Sequence, residues 1–431
     1  MYPLSPPALY AHASVVADPR YKARLERVAA GLTHAPELVV CEDADVPALI
    51  KDRGLLANRV PMGSLQTIPD PILFFNTFRF DDGAEQRSAS LRAQCGADSY
   101  HLAEALTGGG PFHWFTEDTS RGDRFCRPCW RIHFQNGCAH KCHYCGLGGL
   151  LVTMVNVEDY IAQLGRLIAA HPWQETYLLE DDADVLCLEP ELGCLAPIIE
   201  YFGTLPDRYL IIHTKSANVD WMLNLRHNGK TIVVWSICGP EQARAFEPNT
   251  GSTEERVEAA RKAQQAGYVV RYKFKPIIPV RGWEADAARA VELILARTRP
   301  DVISLCVFMW MDFDDMAARL NLGALDPWAV ERARAAAKEM GELRCRPFPD
   351  DVRARIYEVH LAEIRKRDAA VPVSLSTESA SLWRLLGPRL GATPLNYVCG
   401  CGPNATPGRR TLTCNPYTIT AGGPVGGFER L

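Results

Sequence analysis

The stretch CAHKCHYCGLG, residues 138–148, places Cys138, Cys142 and Cys145 three and then two residues apart, with His140, His143 and Tyr144 between them. Three thiols in one short loop read as metal ligands. A structural zinc site takes four ligands, often as two CxxC-like pairs, so here His140 or His143 would have to supply the fourth. A [4Fe-4S] cluster uses a missing thiolate differently, because the iron without a protein ligand stays open to chelation by a small molecule.

Other chemistry-bearing residues fall into groups. FCRPCW supplies Cys126 and Cys129 in a CxxC, and YVCGCGPNATPGRRTLTC supplies Cys399, Cys401 and Cys414 near the C-terminal end. If the tail folds back, these five have the ligand types for zinc or an auxiliary iron–sulfur cluster, while ordinary reduced thiols are the alternative. Cys41, Cys95, Cys194, Cys238, Cys306 and Cys345 lie in apolar contexts and read as core residues. Acids gather at Glu180, Asp181, Asp182 and Asp184, and again at Asp312, Asp314 and Asp315. In VVRYKFKP, Arg271, Lys273 and Lys275 alternate with Val270, Tyr272 and Phe274, which on a strand puts three cations on one face and three apolar groups on the other.

The elements that must position these groups are short β-rich runs alternating with amphipathic helical stretches. Strands are expected at 131–135, 176–180, 208–214, 231–237, 268–274 and 302–308. Helices are expected at 157–170, 195–203, 252–267 and 284–299, the third opened by a capping-box pair, Ser252 and Glu255, and stopped at Gly267. Alternation of this kind needs a mostly parallel sheet with right-handed crossovers. The fold class is therefore α/β, a partial (β/α)6 TIM-type barrel. Its expected range is 126–345, preceded by an α/β extension over 1–125 and followed by a Cys/Gly/Pro-rich appendage over 346–431. Chemistry in such folds sits at the carboxyl ends of the strands, where the CxxxCxxC loop and both acid runs would lie. The apolar face of the fifth strand should meet the helices, aiming Arg271, Lys273 and Lys275 inward.

Composition narrows the classes. The chain has 431 residues, 47% hydrophobic and 23% charged, with a formal charge of −4. No stretch approaches the ~20 unbroken apolar residues of a membrane span, and the acidic balance argues against a general nucleic-acid binder. The first residues carry no readable secretory signal, so a reducing cytoplasm is the default expectation.

CxxxCxxC on a β/α chain resembles the radical SAM superfamily, whose cluster delivers an electron to S-adenosylmethionine and releases a 5'-deoxyadenosyl radical. CHYCGL, TKSANVDWMLNLRHNGKT, WSICGPEQARAFEPNTGSTEERVEAARKAQQAGY and KPIIPVRGW resemble spore photoproduct lyase over roughly residues 130–285. The resemblance implies a [4Fe-4S] cluster on Cys138, Cys142 and Cys145, and S-adenosylmethionine contacts from Tyr144, Lys215 and Ser236. It also implies an electron donor such as a flavodoxin or ferredoxin.

Two departures stand beside the matches. The lyase's hydrogen-returning cysteine aligns with Asp181, whose O–H bond is too strong for a thiol's part, and the tyrosine after its third cluster cysteine is Gly146 here. With Arg271, Lys273, Lys275 and Asp312 as substrate contacts and Asp181, Glu180 and Asp182 as proton-handling acids, the expected substrate is a polar small molecule. The expected reaction is dehydration or deoxygenation of an amino sugar, by analogy with radical SAM dehydratases of aminoglycoside antibiotic biosynthesis. The alternatives are lyase-like repair or modification of a nucleobase, and a non-catalytic, metal-stapled binding module.

Overall fold

A computed structural model describes residues 1–55, 62–96, 101–116, 124–412 and 419–424. Thirteen strands form two sheets. The larger is built on β5 (Cys129–Ile132), β8 (Thr176–Leu179), β9 (Tyr209–Thr214), β10 (Thr231–Ile237), β11 (Val269–Ile277) and β12 (Ile303–Val307). These are the six expected strands, paired in parallel and in chain order. Antiparallel β4 (Phe112–Phe115) and parallel β13 (Val373–Leu375) add one strand at each edge, so the sheet stays open rather than closing into a barrel. The smaller sheet, in order, is β2 (Leu38–Cys41), β1 (Leu9–His12), β3 (Ile72–Asn76), β7 (Leu150–Met154) and β6 (Gln135–Asn136).

Local signals explain the large sheet. Its strands are rich in β-branched and aromatic residues buried from both sides, as a sheet flanked by helices requires. The helices Val157–Ala170, Leu195–Gly203, Thr253–Gln265 and Trp283–Arg297 fall where the apolar periodicity puts them. Ser252 and Glu255 form both bonds of the capping box. On β11, Val270, Tyr272 and Phe274 join the main core, so the alternate residues Arg271, Lys273 and Lys275 face the concave side.

The expected segment boundaries cut across these sheets. β6 and β7, from within 126–345, complete the smaller sheet, and β13, from within 346–431, extends the larger one. The C-terminal segment also crosses the concave face. Gly400 N–H donates to Ser304 Oγ at 3.1 Å, Arg271 donates to the carbonyls of Gly400 and Ala405 at 3.2 and 2.6 Å, and Thr176 N–H donates to Pro403 O at 2.9 Å. The segment thereby bridges β8 to β12 near the strands' starts. Such pairing of one strand edge with residues far along the chain carries no short-range signature.

Candidate active site

The CxxxCxxC loop runs between β6 and β7, where the chain has left the large sheet for the smaller one. Glu180, at the carboxyl end of β8, holds that exit: its carboxylate accepts from the backbone N–H of Phe134 and, at 2.6 Å, of Gln135. Its neighbour His133 lies 3.2 Å away through Nδ1. Burial pushes the Glu180 carboxyl up to about 8 and the His133 imidazole down to about 3, so the pair is neutral around pH 7. Glu180 therefore serves as a backbone clamp in this structure.

Gly137 opens the loop in a left-handed conformation (φ 98°), and a Cβ there would stand 1.8 Å from the Leu150 carbonyl oxygen. Cys138 N–H donates to Leu147 O at 2.9 Å and Cys145 N–H to Cys142 O at 3.0 Å, so the three thiols are carried on one tight turn. His140 does not turn to them: its Nε2 meets Asp184 Oδ2 at 2.9 Å and its Nδ1 meets Asn249 O at 2.5 Å. Asp184 also accepts from Thr214 Oγ1 at 2.9 Å and from Lys215 N–H at 2.7 Å, tying the loop to β8 and β9. Both nitrogens of His140 are thus engaged, and the His143 and Phe246 rings meet in a T-shaped arrangement.

A zinc ion with Zn–S near ~2.3 Å keeps any two of its sulfurs within about 4.6 Å of each other. Among the described residues, the His/Cys/Asp/Glu groups gathered within 4.8 Å are His101–Glu104–His113 and His140–Asp184–Cys187, and the motif thiols are in neither. Their wider spread, with no histidine turned to them, fits a multi-iron cluster rather than one ion. Burial pushes the Cys142 thiol up to about 12, and a coordinating metal is what deprotonates such a thiol.

Beneath the loop lies a residue that motif reading did not single out. Glu247 is fully buried. It accepts from the Tyr144 hydroxyl, from Lys215 Nζ at 3.0 Å and from Cys238 Sγ at 3.5 Å, and pairs with Arg256 at 2.6 Å. Burial alone would raise its pKa, but Lys215 and Arg256 outweigh that and hold the carboxyl well below its usual range. Glu247 thus fixes Tyr144 and Lys215, two of the residues expected to meet the cofactor. It stands inside a segment that carries the lyase resemblance, but nothing local marks it as a hub. The third such residue, Ser236, lies opposite Lys273 in the strand register, on the concave face.

The remaining expected site residues separate. Asp181, where the lyase's cysteine would stand, is ion-paired with Arg131, whose guanidinium lies 3.3 Å over the Phe115 ring. Asp182 lines a cavity of about 20 Å³ together with His101, His113, His133 and Gln135. Lys275 sits over the Trp310 ring at 4.7 Å; burial and the charge of Lys273 bring its ammonium down to about 8. Two further residues expected at the substrate are engaged by the fold. Arg271 is spent on Asp301 (Nη2–Oδ2 2.7 Å) and on the carbonyls of the C-terminal segment, and exposed Asp312 caps the helix Phe313–Arg319 by accepting from Asp315 N–H at 2.8 Å.

The C-terminal segment brings the other cysteines together. The neighbouring Cys401 and burial push the Cys399 thiol up, with Cys126 adding to it, and Cys126 and Cys401 lie near enough to raise the buried Cys129 thiol as well. Cys414 lies outside the described residues. Cys41, Cys194, Cys238, Cys306 and Cys345 are buried, and Cys95 is half-buried.

An open, mostly parallel α/β sheet with a three-cysteine CxxxCxxC loop over its carboxyl end is the arrangement expected of a radical SAM type of protein. Residues 126–309 match the family model described as spore photoproduct lyase. The spore photoproduct lyase of Bacillus subtilis (strain 168) is 31% identical over 180 residues, 40% of this chain and 53% of that protein. The one from Geobacillus sp. (strain Y412MC61) is 32% identical over 162 residues, 36% of this chain and 48% of that protein. The matched region thus spans about half the length of these relatives. A solved structure of a spore photoproduct lyase double mutant, with bound AdoMet and dinucleoside spore photoproduct, superimposes with a TM-score of 0.58 at 18% identity. It covers 86% of this chain and 98% of its own; a single mutant of the lyase reaches 0.60 over the same shares. At that identity the likeness is one of fold. Family model, relatives and fold all support a likeness to the spore-photoproduct-lyase group of radical SAM proteins, carried in sequence by residues 126–309. No helix among the described residues is long and apolar enough to cross a membrane.

Proposed function

We propose that this chain is a radical SAM enzyme that takes a hydrogen atom from a nucleobase-containing substrate of dinucleoside size and does not return it through a cysteine at the lyase position. The observation that carries the reading is the coincidence of the lyase-like segment with the hub under the CxxxCxxC loop, where Glu247 fixes Tyr144 and Lys215. Residues Cys138, Cys142 and Cys145 would hold a [4Fe-4S] cluster, with S-adenosylmethionine on its open iron. When bound and reduced, by a donor such as a flavodoxin or ferredoxin, that cluster supplies the electron that cleaves S-adenosylmethionine.

The chain's own residues do the rest. Tyr144, anchored through its hydroxyl, presents a ring on which an adenine can stack. Lys215, held between Glu247 and the Lys275 carbonyl (3.3 Å), sets a fixed cation beside the cofactor. Ser236 offers a hydroxyl from the concave face. At the rim, the Arg131–Asp181 pair sets a guanidinium beside a carboxylate, so the two can meet a substrate acceptor and donor together. Substrate of limited size is favoured over long duplex, because a chain of net charge −4 gains little from counterion release.

The expectation of amino-sugar dehydration is the weaker reading. Two of its supports, Arg271 and Asp312, are committed to holding the fold, and the relatives found are lyases acting, by name, on spore photoproduct. The test is anaerobic reconstitution with dithionite and S-adenosylmethionine, measuring 5'-deoxyadenosine against dinucleoside spore photoproduct, irradiated DNA, nucleosides and amino sugars. Stimulation by the dinucleoside or nucleoside substrates is expected. No cleavage of S-adenosylmethionine, or stimulation by amino sugars alone, overturns the reading.

A further inference from the structure

At the opposite side of the concave face from the CxxxCxxC loop, two segments distant in sequence are bound together around four cysteines. Arg127, between Cys126 and Cys129, donates through Nη2 to Leu395 O at 3.2 Å, across 268 residues, and its guanidinium lies 3.9 Å over the Tyr397 ring. Phe125 N–H donates to Glu378 O at 2.9 Å. The Cys399–Cys401 turn is pinned by Ser304, Arg271 and Thr176, and a Cβ at Gly402 would come within 2.8 Å of Cys399 Sγ. The thiols are therefore held by a dense, long-range framework rather than left on a mobile tail.

The charges around them are unbalanced. Arg127 is 2% exposed, and its Nε and Nη1 are buried without any acceptor. Lys273, 5% exposed, directs Nζ at Cys401 Sγ from 3.7 Å. Among the described residues no carboxylate stands within ion-pair distance of either. A buried cation left unpaired is costly, and four thiolates around a metal centre would supply the compensating charge. No three of these thiols are gathered within 4.8 Å, wider than one zinc ion allows and the same condition found for Cys138, Cys142 and Cys145.

We propose that Cys126, Cys129, Cys399 and Cys401 ligate a second [4Fe-4S] cluster, with Arg127 and Lys273 donating hydrogen bonds to its sulfurs. The site is independent of which substrate the enzyme takes. The test uses the full chain, purified and reconstituted anaerobically, with iron, sulfide and zinc counted per chain and the reduced protein read by electron paramagnetic resonance. Wild type should hold about eight irons, and a Cys138→Ala/Cys142→Ala/Cys145→Ala variant about four, with a cluster signal of its own. Cys399→Ser/Cys401→Ser should also hold about four, all at the first site. If the triple variant has the wild-type circular dichroism spectrum yet binds no iron, or binds one zinc in its place, the proposal fails. Should the Cys399→Ser/Cys401→Ser protein not fold, Lys273→Gln keeps every ligand and should move one of two midpoint potentials to a more negative value. A single potential, or two that do not move, overturns the assignment.

Discussion

The loop of Cys138, Cys142 and Cys145 and the floor of Cys126, Cys129, Cys399 and Cys401 are built in opposite ways. The loop's thiols are neighbours in sequence, and distant residues serve only to brace them: Asp184 and Asn249 through His140, and Glu247 through Tyr144. At the floor the thiols themselves come from far apart, and their juxtaposition rests on the C-terminal segment folding across the sheet. A ligand set written in one loop survives strain elsewhere. One assembled from two segments exists only while both are docked.

Substitutions can break that contrast. The largest effect is expected from Cys138→Ala, Cys142→Ala or Cys145→Ala, each of which should abolish 5'-deoxyadenosine formation; a variant cleaving S-adenosylmethionine at the wild-type rate would remove the loop from the chemistry. Next comes Glu247→Ala. It strands Lys215 and Arg256 as buried charges, so denaturant unfolding should show a loss of about 3–5 kcal/mol together with poor retention of loop iron. Unchanged stability would mean that the hub is dispensable.

Asp181→Asn tests the rim between the two regions. If the Asp181–Arg131 pair handles substrate, turnover should fall roughly 100-fold while iron content stays at the wild-type value, and full turnover would reduce the pair to a surface staple. A smaller, pH-dependent effect is expected at Glu180. Its folded carboxyl titrates near 8 against an ordinary 4.5, so the folded state holds the extra proton. The stability this gives is complete below about pH 4.5 and is lost as pH rises towards 8. Glu180→Gln should flatten that fall, by about 2–4 °C in Tm between pH 5 and 8 in thermal melts, and parallel curves for the two proteins would refute it. The smallest effect should come from Ser252→Ala, which removes one capping bond from the helix Thr253–Gln265. It is expected to cost about 0.5–1 kcal/mol with no change in either cluster, and a change in iron content would show that this helix braces the site through Arg256.

Much of the scaffold is legible because its causes are local. Short runs rich in β-branched and aromatic residues give β5 and β8 to β12, 3.6-residue periodicity gives their helices, and alternation on β11 gives the inward aim of Arg271, Lys273 and Lys275. The CxxxCxxC ligand set is equally local. By contrast, the contacts of Glu180, Arg271 and Asp312 depend on the partner each one finds. Glu180 meets backbone amides 45 and 46 residues away, Arg271 meets carbonyls 129 and 134 residues away, and Asp312 meets an amide three residues on, in a cap that hides in an acid run.

By itself, the sequence determined the ordered α/β alternation, the three-thiol loop and its lyase-like surroundings, since each depends on residue types at short fixed spacings. Only the tertiary structure decided that β6 and β7 leave the large sheet to complete the smaller one, and that β13 and the C-terminal segment return to the large sheet. It also decided that Glu247 gathers Tyr144, Lys215 and Arg256, and that four remote cysteines face two buried cations. Burial selects such partners: a charge or thiol withdrawn from water must be matched by whatever group the fold brings within a few ångströms, and sequence spacing does not encode which group that is.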